Sequence, residues 1–251
     1  MKLQAILWDV DGTLAETERD GHRVAFNITF EENGLDWNWD EAMYGKLLAV
    51  TGGKERIHHY LKTFNTSWHY EGDLNEFVKS LHLRKNAIYA DLTKQGKVVL
   101  RPGVLRLLNE AREKGVRLAI ATTTSPENVE NLINSTIGPD AMGWFELVAA
   151  GDIVPKKKPA SDIYDYALEK MALSANECIA IEDSYNGITA AVAAKIPTII
   201  TQSVYTIDDD FSGALMVMDN LGEPGSPCNV VSNGPLAEGM VTIDSLNALL
   251  S

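Results

Sequence analysis

From Arg101 onward the chain alternates, in short units, between segments with helical spacing of apolar residues and brief wholly apolar runs. "RPGVLRLLNEAREKG" reads as a helix stopped by Gly, "VRLAIAT" as a buried strand, and "SPENVENLINSTIG" as a helix opened by Ser-Pro. "ELVAAGD", "CIAIED" and "PTIIT" follow as strands, separated by the helices "ASDIYDYALEKMAL" and "SYNGITAAVAAK". Strands too apolar to show a solvent face, each followed by a helix, fit a doubly wound, Rossmann-like parallel sheet and little else. After Val204 the signal thins: "GALMVMD" reads as a strand, "TIDSLNALLS" as a closing helix, and "LGEPGSPCNVVSNGP" as a loop.

One further strand stands far upstream. Leu3–Trp8 is apolar and ends in "DVDGT", with Asp9 and Asp11 one residue apart. Asp-Gly is a common hairpin turn, but the next segment, "TLAETERDGHRVAFNITFEENG", has helical rather than strand spacing. An EF-hand is excluded because its acids run through a longer loop flanked by helices and closed by Glu. The pair of carboxylates therefore reads as a site at the mouth of a strand.

Between residues 16 and 98 no strand interrupts a succession of helical segments: "HRVAFNITFEENG", "DEAMYGKLLAV", "GGKERIHHYLKTF" and "DLNEFVKSLHLRKNAIYADLTKQG". The expected organisation is an α/β core from residues 1–15 and 99–251, with an α-helical cap, 16–98, inserted after the first strand. A chain of 251 residues, 45% hydrophobic, has room for such a core and a second unit. No window approaches the roughly 18 apolar residues of a membrane span, and the first ten residues lack a signal-peptide pattern. Two cysteines, Cys178 and Cys228, form no metal spacing and fit a reducing compartment. The expectation is a cytoplasmic monomer without membrane partners. A net charge of −13 argues against nucleic acid too, so any anionic substrate must meet local cations or a metal.

In open parallel sheets ligands bind at the carboxyl ends of the strands, where the winding reverses. Asp9, Thr122 and Glu182–Asp183 each end a strand, and Lys158 follows another. Taken singly, each has an ordinary explanation: a helix cap for Thr122, a solvated basic run for "PKKKP", a helix N-terminus for the acids. Their succession, each after its own strand, points to one site. Lys158 is preferred over Lys156 and Lys157 because Pro159 suits the first turn of the next helix, which would hold Lys158 at the strand side.

"DVDGT", the Thr of "AIATTT", the Lys-Pro of "KKKP" and "IEDSYNG" resemble, in order, the motifs of the haloacid dehalogenase superfamily of phosphotransferases. "ETERDGH", "TGGKERI", "LRPGV" and "DIVPKKKP" look closest to its CbbY-type branch of sugar-phosphate phosphatases, neighbours of β-phosphoglucomutase. The resemblance implies Asp9 as the nucleophile that forms an aspartyl phosphate, Asp11 as general acid and base, and Thr122, Thr123 and Lys158 around the transferring phosphoryl group. It implies Mg²⁺ on the side chains of Asp9 and Asp183 and the backbone carbonyl of Asp11, with Glu182 either a ligand or a neighbour of one. Xylulose bisphosphate is the substrate the branch implies.

Asp11 speaks against a dehalogenase, whose members lack a second acid at this spacing. Thr13, where mutase relatives often carry Val, favours a phosphatase over a sugar-phosphate mutase. A slow sugar-phosphate sensor is a third reading, and the complete motif set argues against it. For substrate recognition the candidates are Glu16 and His22 beside the first motif, Lys54 and Arg56 of "TGGKER", and Lys85. "ERDGH" is one residue longer than the spacing common in the bacterial branch, which fixes His22 only to within a position. His58, His59, His69 and His82 read as surface or packing residues.

Overall fold

The computed structural model describes residues 2–50, 52–232, 236 and 239–250. Contacts divide the chain into two compact units, one formed by residues up to Glu16 with those from Val99 onward, the other by Thr17–Val98.

The first strand, β1 (Ala5–Trp8), is buried along its whole length. The helical unit follows. It opens with a π turn at Glu18–His22 that runs directly into α1 (Arg23–Glu32). A π turn holds more residues than an α turn, so the long spacing of "ERDGH" is absorbed within a helix and leaves Gly21 and His22 facing inward. The helices α2 (Glu41–Leu47), α3 (Gly53–Thr63) and α4 (Leu74–Lys94) complete this unit, α2 and α4 being capped by the side chains of Asp40 and Asp73. Its interior is aromatic: Trp39 stands 4.7 Å from Phe26, 4.8 Å from Phe30 and 5.3 Å from Tyr60 between ring centres.

The remaining elements build the α/β unit: α5 (Val104–Glu113), β2 (Arg117–Ala121), α6 (Pro126–Thr136), β3 (Leu147–Ala149), α7 (Asp162–Met171), β4 (Cys178–Glu182), α8 (Tyr185–Ala193), β5 (Thr198–Thr201), β6 (Met216–Met218), β7 (Val230–Ser232) and α9 (Ile243–Leu249). They form one sheet of order β3-β2-β1-β4-β5-β6-β7. Every neighbouring pair is parallel except β6–β7. The doubly wound sheet is thus present, with an antiparallel edge that the sequence did not announce. Val230–Ser232 lie in the segment read as a loop; paired on one side only and largely exposed, they carry little of the apolar signal that marks a strand. Asn233–Pro235, the end of that segment, fall outside the described residues.

Small residues on alternate positions of the central strands, among them Ala5, Ala119, Ala121 and Ala180, share one core cluster with Ile163, Tyr164 and Ala167 of α7 and Ala190 and Ala191 of α8. Small strand side chains let the crossover helices lie close over the sheet. No helix among the described residues is long and apolar enough to cross a membrane.

Candidate active site

Register puts the strand ends side by side. Trp8 is the last residue of β1 and pairs with Ile120 on one side and Ile181 on the other. The residues that follow, Asp9, Thr122 and Glu182–Asp183, therefore emerge together at the carboxyl edge, where the strand order turns from β2-β1 to β4-β5. The Asp9 amide still donates to the Ile181 carbonyl at 3.0 Å, and the Thr122 amide to that of Ala149 at 2.9 Å, so both are held as extensions of the sheet.

Lys158 reaches this edge from the β3–α7 connection. Its Nζ donates to Asp9 Oδ1 at 2.7 Å, to Glu182 Oε1 at 2.5 Å and to the Ala121 carbonyl at 2.8 Å. The reason given for choosing it needs correction: Pro159 precedes α7, whose N-cap is Ser161, and is not in its first turn. What separates the three lysines is burial. Lys156 is exposed, Lys157 pairs with Asp152 at 3.0 Å, and Lys158 is enclosed.

Asp9, Glu182 and Asp183 are all buried, and an oxygen of each lies within 4.8 Å of the others. Burial pushes the Asp9 carboxyl up to about 7, with Lys158 pulling it down and Glu182 and Asp11 adding to the rise. Asp183 is raised well above its ordinary value by burial and by the Asp9 and Glu182 charges. Lys158 is held above the usual lysine value: burial opposes its charge, and the Asp9 and Glu182 carboxylates outweigh that. An all-oxygen, electron-rich cluster of this kind suits a hard divalent cation, whose charge would offset the repulsion among the carboxylates.

Two glycines make room for these acids. Gly12, at φ +86, lies so near Asp183 that a Cβ would overlap its carboxylate, and a Cβ at Gly187 of α8 would overlap that of Glu182. Glu182 is further engaged by Tyr164, whose hydroxyl donates to Oε1 at 2.6 Å. Lys158 and Tyr164 thus both donate to Oε1 of Glu182, while its carboxylate also belongs to the cluster with Asp9 and Asp183. An aromatic on the apolar face of a helix carries no signal beyond packing, so nothing in the sequence marks Tyr164 as a site residue. Asp11 is half-buried, Thr122 buried and Thr123 half-buried, and the Thr122 hydroxyl accepts from the Thr124 amide at 3.3 Å. Glu16 faces Arg101 Nε at 3.4 Å within the α/β unit.

Within the helical unit the recognition candidates form two groups. Arg56 is buried in the first turns of α3; its Nη1 donates to the Tyr44 hydroxyl at 2.7 Å and lies 3.5 Å from Glu18 Oε2, to which Tyr44 also donates. Lys85 Nζ is 2.9 Å from His22 Nδ1 and 4.9 Å from the centre of the Phe26 ring, while His22 stacks on Tyr89. Lys54 is exposed. His82 is pushed down to about 4 by burial first and then by Lys85 and Lys54, which marks this part of the unit as locally positive in an acidic protein.

Comparison with known proteins agrees with this geometry. Residues 3–195 match the family model of haloacid dehalogenase-like hydrolases. The chain is 44% identical over 225 residues to the plasmid-borne protein CbbY of Cupriavidus necator, covering 90% of this chain and 88% of that protein. It also superposes on crystal structures of CbbY from Rhodobacter sphaeroides, one with phosphate and one of a point variant with xylulose-1,5-bisphosphate, at TM-score 0.78 and 42% identity, covering 87% of this chain and 94% of the other. This chain belongs to the haloacid dehalogenase-like hydrolases.

Proposed function

We propose that this protein is a Mg²⁺-dependent phosphatase that removes one phosphoryl group from a small sugar bisphosphate, with xylulose 1,5-bisphosphate as the substrate of choice. The observation that carries the reading is Asp9: a buried carboxylate at the reversal point of a parallel sheet, hydrogen-bonded by a buried lysine and facing two more acids. The likeness to CbbY, which was crystallised with that bisphosphate, supports the substrate.

In this reading Asp9 attacks phosphorus, the bond to the sugar oxygen breaks, and Asp11 gives that oxygen its proton, leaving an aspartyl phosphate and a free hydroxyl. Asp11, now a carboxylate, takes a proton from water, whose oxygen attacks the phosphorus and releases inorganic phosphate and Asp9. Lys158 balances charge on Asp9 and on the phosphoryl oxygens, and the Thr122 hydroxyl, with Thr123 beside it, orients the group. Asp9 and Asp183 side chains and the Asp11 carbonyl would hold Mg²⁺, which supplies positive charge against the phosphoryl oxygens. Glu16 and His22 are the candidates for the sugar hydroxyls, and Lys54, Arg56 and Lys85 for its second phosphate, because an anion in so acidic a chain needs local cations.

The test is phosphate release across sugar mono- and bisphosphates, with Mg²⁺ and with EDTA. A bisphosphate of a five-carbon ketose should be turned over best, and EDTA should abolish release. Release that is unaffected by EDTA, or a product with the phosphate moved rather than freed, would overturn the proposal.

A further inference from the structure

We infer that Arg101 is a positioning residue for this reaction: it holds the Gly12 carbonyl, and through it the turn that carries Asp11 and packs against Asp183. The inference rests on the proposed function only for what the site does, since its argument is geometric.

Arg101 follows the last residues of the inserted unit and immediately precedes Pro102, and it is buried. A guanidinium has five N–H groups, and here four of them donate to backbone carbonyls while the fifth faces a carboxylate. Nη1 donates to the carbonyls of Gly12 and of Thr201, the latter at 3.0 Å. Nη2 donates to those of Gln202 at 2.5 Å and Asp219 at 2.6 Å, and Nε faces Glu16 Oε1 at 3.4 Å. Its own amide donates to the Leu14 carbonyl at 2.8 Å.

These acceptors come from the turn after β1, the end of β5 and the residue after β6; the ladder still joins β5 to β6, through Thr201 opposite Met218 and the Gln202 amide on the Met218 carbonyl, and Arg101 adds the β1 turn to that pair. A buried carbonyl without a donor is costly, so one planar cation that satisfies four of them fixes their mutual positions. Gly12 transmits that placement. A Cβ at Gly12 would overlap an Asp183 carboxylate oxygen and fall 3.2 Å from the Ser203 Cβ, so the backbone here lies directly against both. A displaced Gly12 peptide would therefore shift Asp11, its immediate neighbour, and unseat Asp183. Lysine cannot replace the arginine, because three donors on one atom cannot reach acceptors spread over such a fork.

The experiment uses the full chain as Arg101→Lys and Arg101→Ala, with folded fraction measured by circular dichroism. Two quantities are read: kcat and KM for p-nitrophenyl phosphate per folded molecule, and the Kd of Mg²⁺ by calorimetry without substrate. For both variants we expect kcat to fall roughly 10- to 100-fold, the scale of an ångström-level misplacement, with KM within a few-fold of wild type and a weakened Mg²⁺ Kd. Methylguanidine should restore part of the kcat of Arg101→Ala and none of that of Arg101→Lys. A residue serving stability alone would lower the folded fraction and leave these readouts unchanged. Wild-type kcat and Mg²⁺ Kd in Arg101→Lys would overturn the inference, as would equal Mg²⁺ behaviour in all three proteins, absence of binding included, or failure of both variants to fold. Absence of turnover in the wild type would count against the proposed function, while the calorimetry would still decide the role of Arg101.

Discussion

Lys158→Met keeps most of the side chain's apolar stem and removes its charge together with three donated hydrogen bonds, to Asp9, Glu182 and the Ala121 carbonyl. Loss of one charged donor from a buried reaction centre is worth about 2.7–4 kcal/mol, or roughly 10²- to 10³-fold in kcat. Turnover of p-nitrophenyl phosphate at pH 7 with saturating Mg²⁺ should therefore drop by about 10²- to 10³-fold.

Stability of the metal-free protein should carry a pH signature. The folded Asp9 pKa, about 7, lies above its ordinary 3.8, so folding favours the protonated carboxyl. That advantage is complete below the ordinary value and is lost as pH climbs through the folded value. In Lys158→Met the folded value is higher, so ionisation at alkaline pH costs the variant more. The stability gap to wild type should be small at pH 5 and widen by pH 8 toward the roughly 3–5 kcal/mol expected when a buried ion pair loses one partner. Urea unfolding of metal-free protein at the two pH values measures it. A turnover loss below about tenfold at pH 7, together with a gap that ignores pH, would refute the reasoning that Lys158 is the counter-charge of the nucleophile.

Asp9→Asn should leave the fold intact and lower turnover by several powers of ten, because an amide of the same size cannot attack phosphorus; near-wild-type phosphate release would remove Asp9 from its role. Asp11→Asn should form the phosphoenzyme slowly and then retain it, since no carboxylate remains to activate water; rapid-quench trapping reads this, and wild-type hydrolysis of the intermediate would sink the assignment. Gly187→Ala should press its methyl group against the Glu182 carboxylate, costing about 1–3 kcal/mol of stability as well as activity. Unchanged thermal unfolding and turnover would mean that Glu182 has room to move and that its contacts with Lys158 and Tyr164 are dispensable.

By itself the sequence determined the parallel α/β sheet, because a strand buried on both faces must be continuously apolar and each parallel return needs a helix. It also placed acids and a threonine at strand ends, since the carboxyl edge of such a sheet is legible once its strands are. Beyond that edge its reach was short. Lys158 is the buried one of the three lysines, but the local rule of Pro159 in a first helical turn does not explain it, because α7 starts later. Tyr164 and Arg101 stand in segments with plain helical spacing, yet they bond to partners 18 and 89 positions away. The inward face of His22 depends on a π turn, and β7 on a neighbour that lends an edge strand its pairing. Local propensity reports on the few residues a side chain meets along the chain, whereas hydrogen-bond partners, burial and charge coupling are set by segments that meet only once the sheet has closed its register.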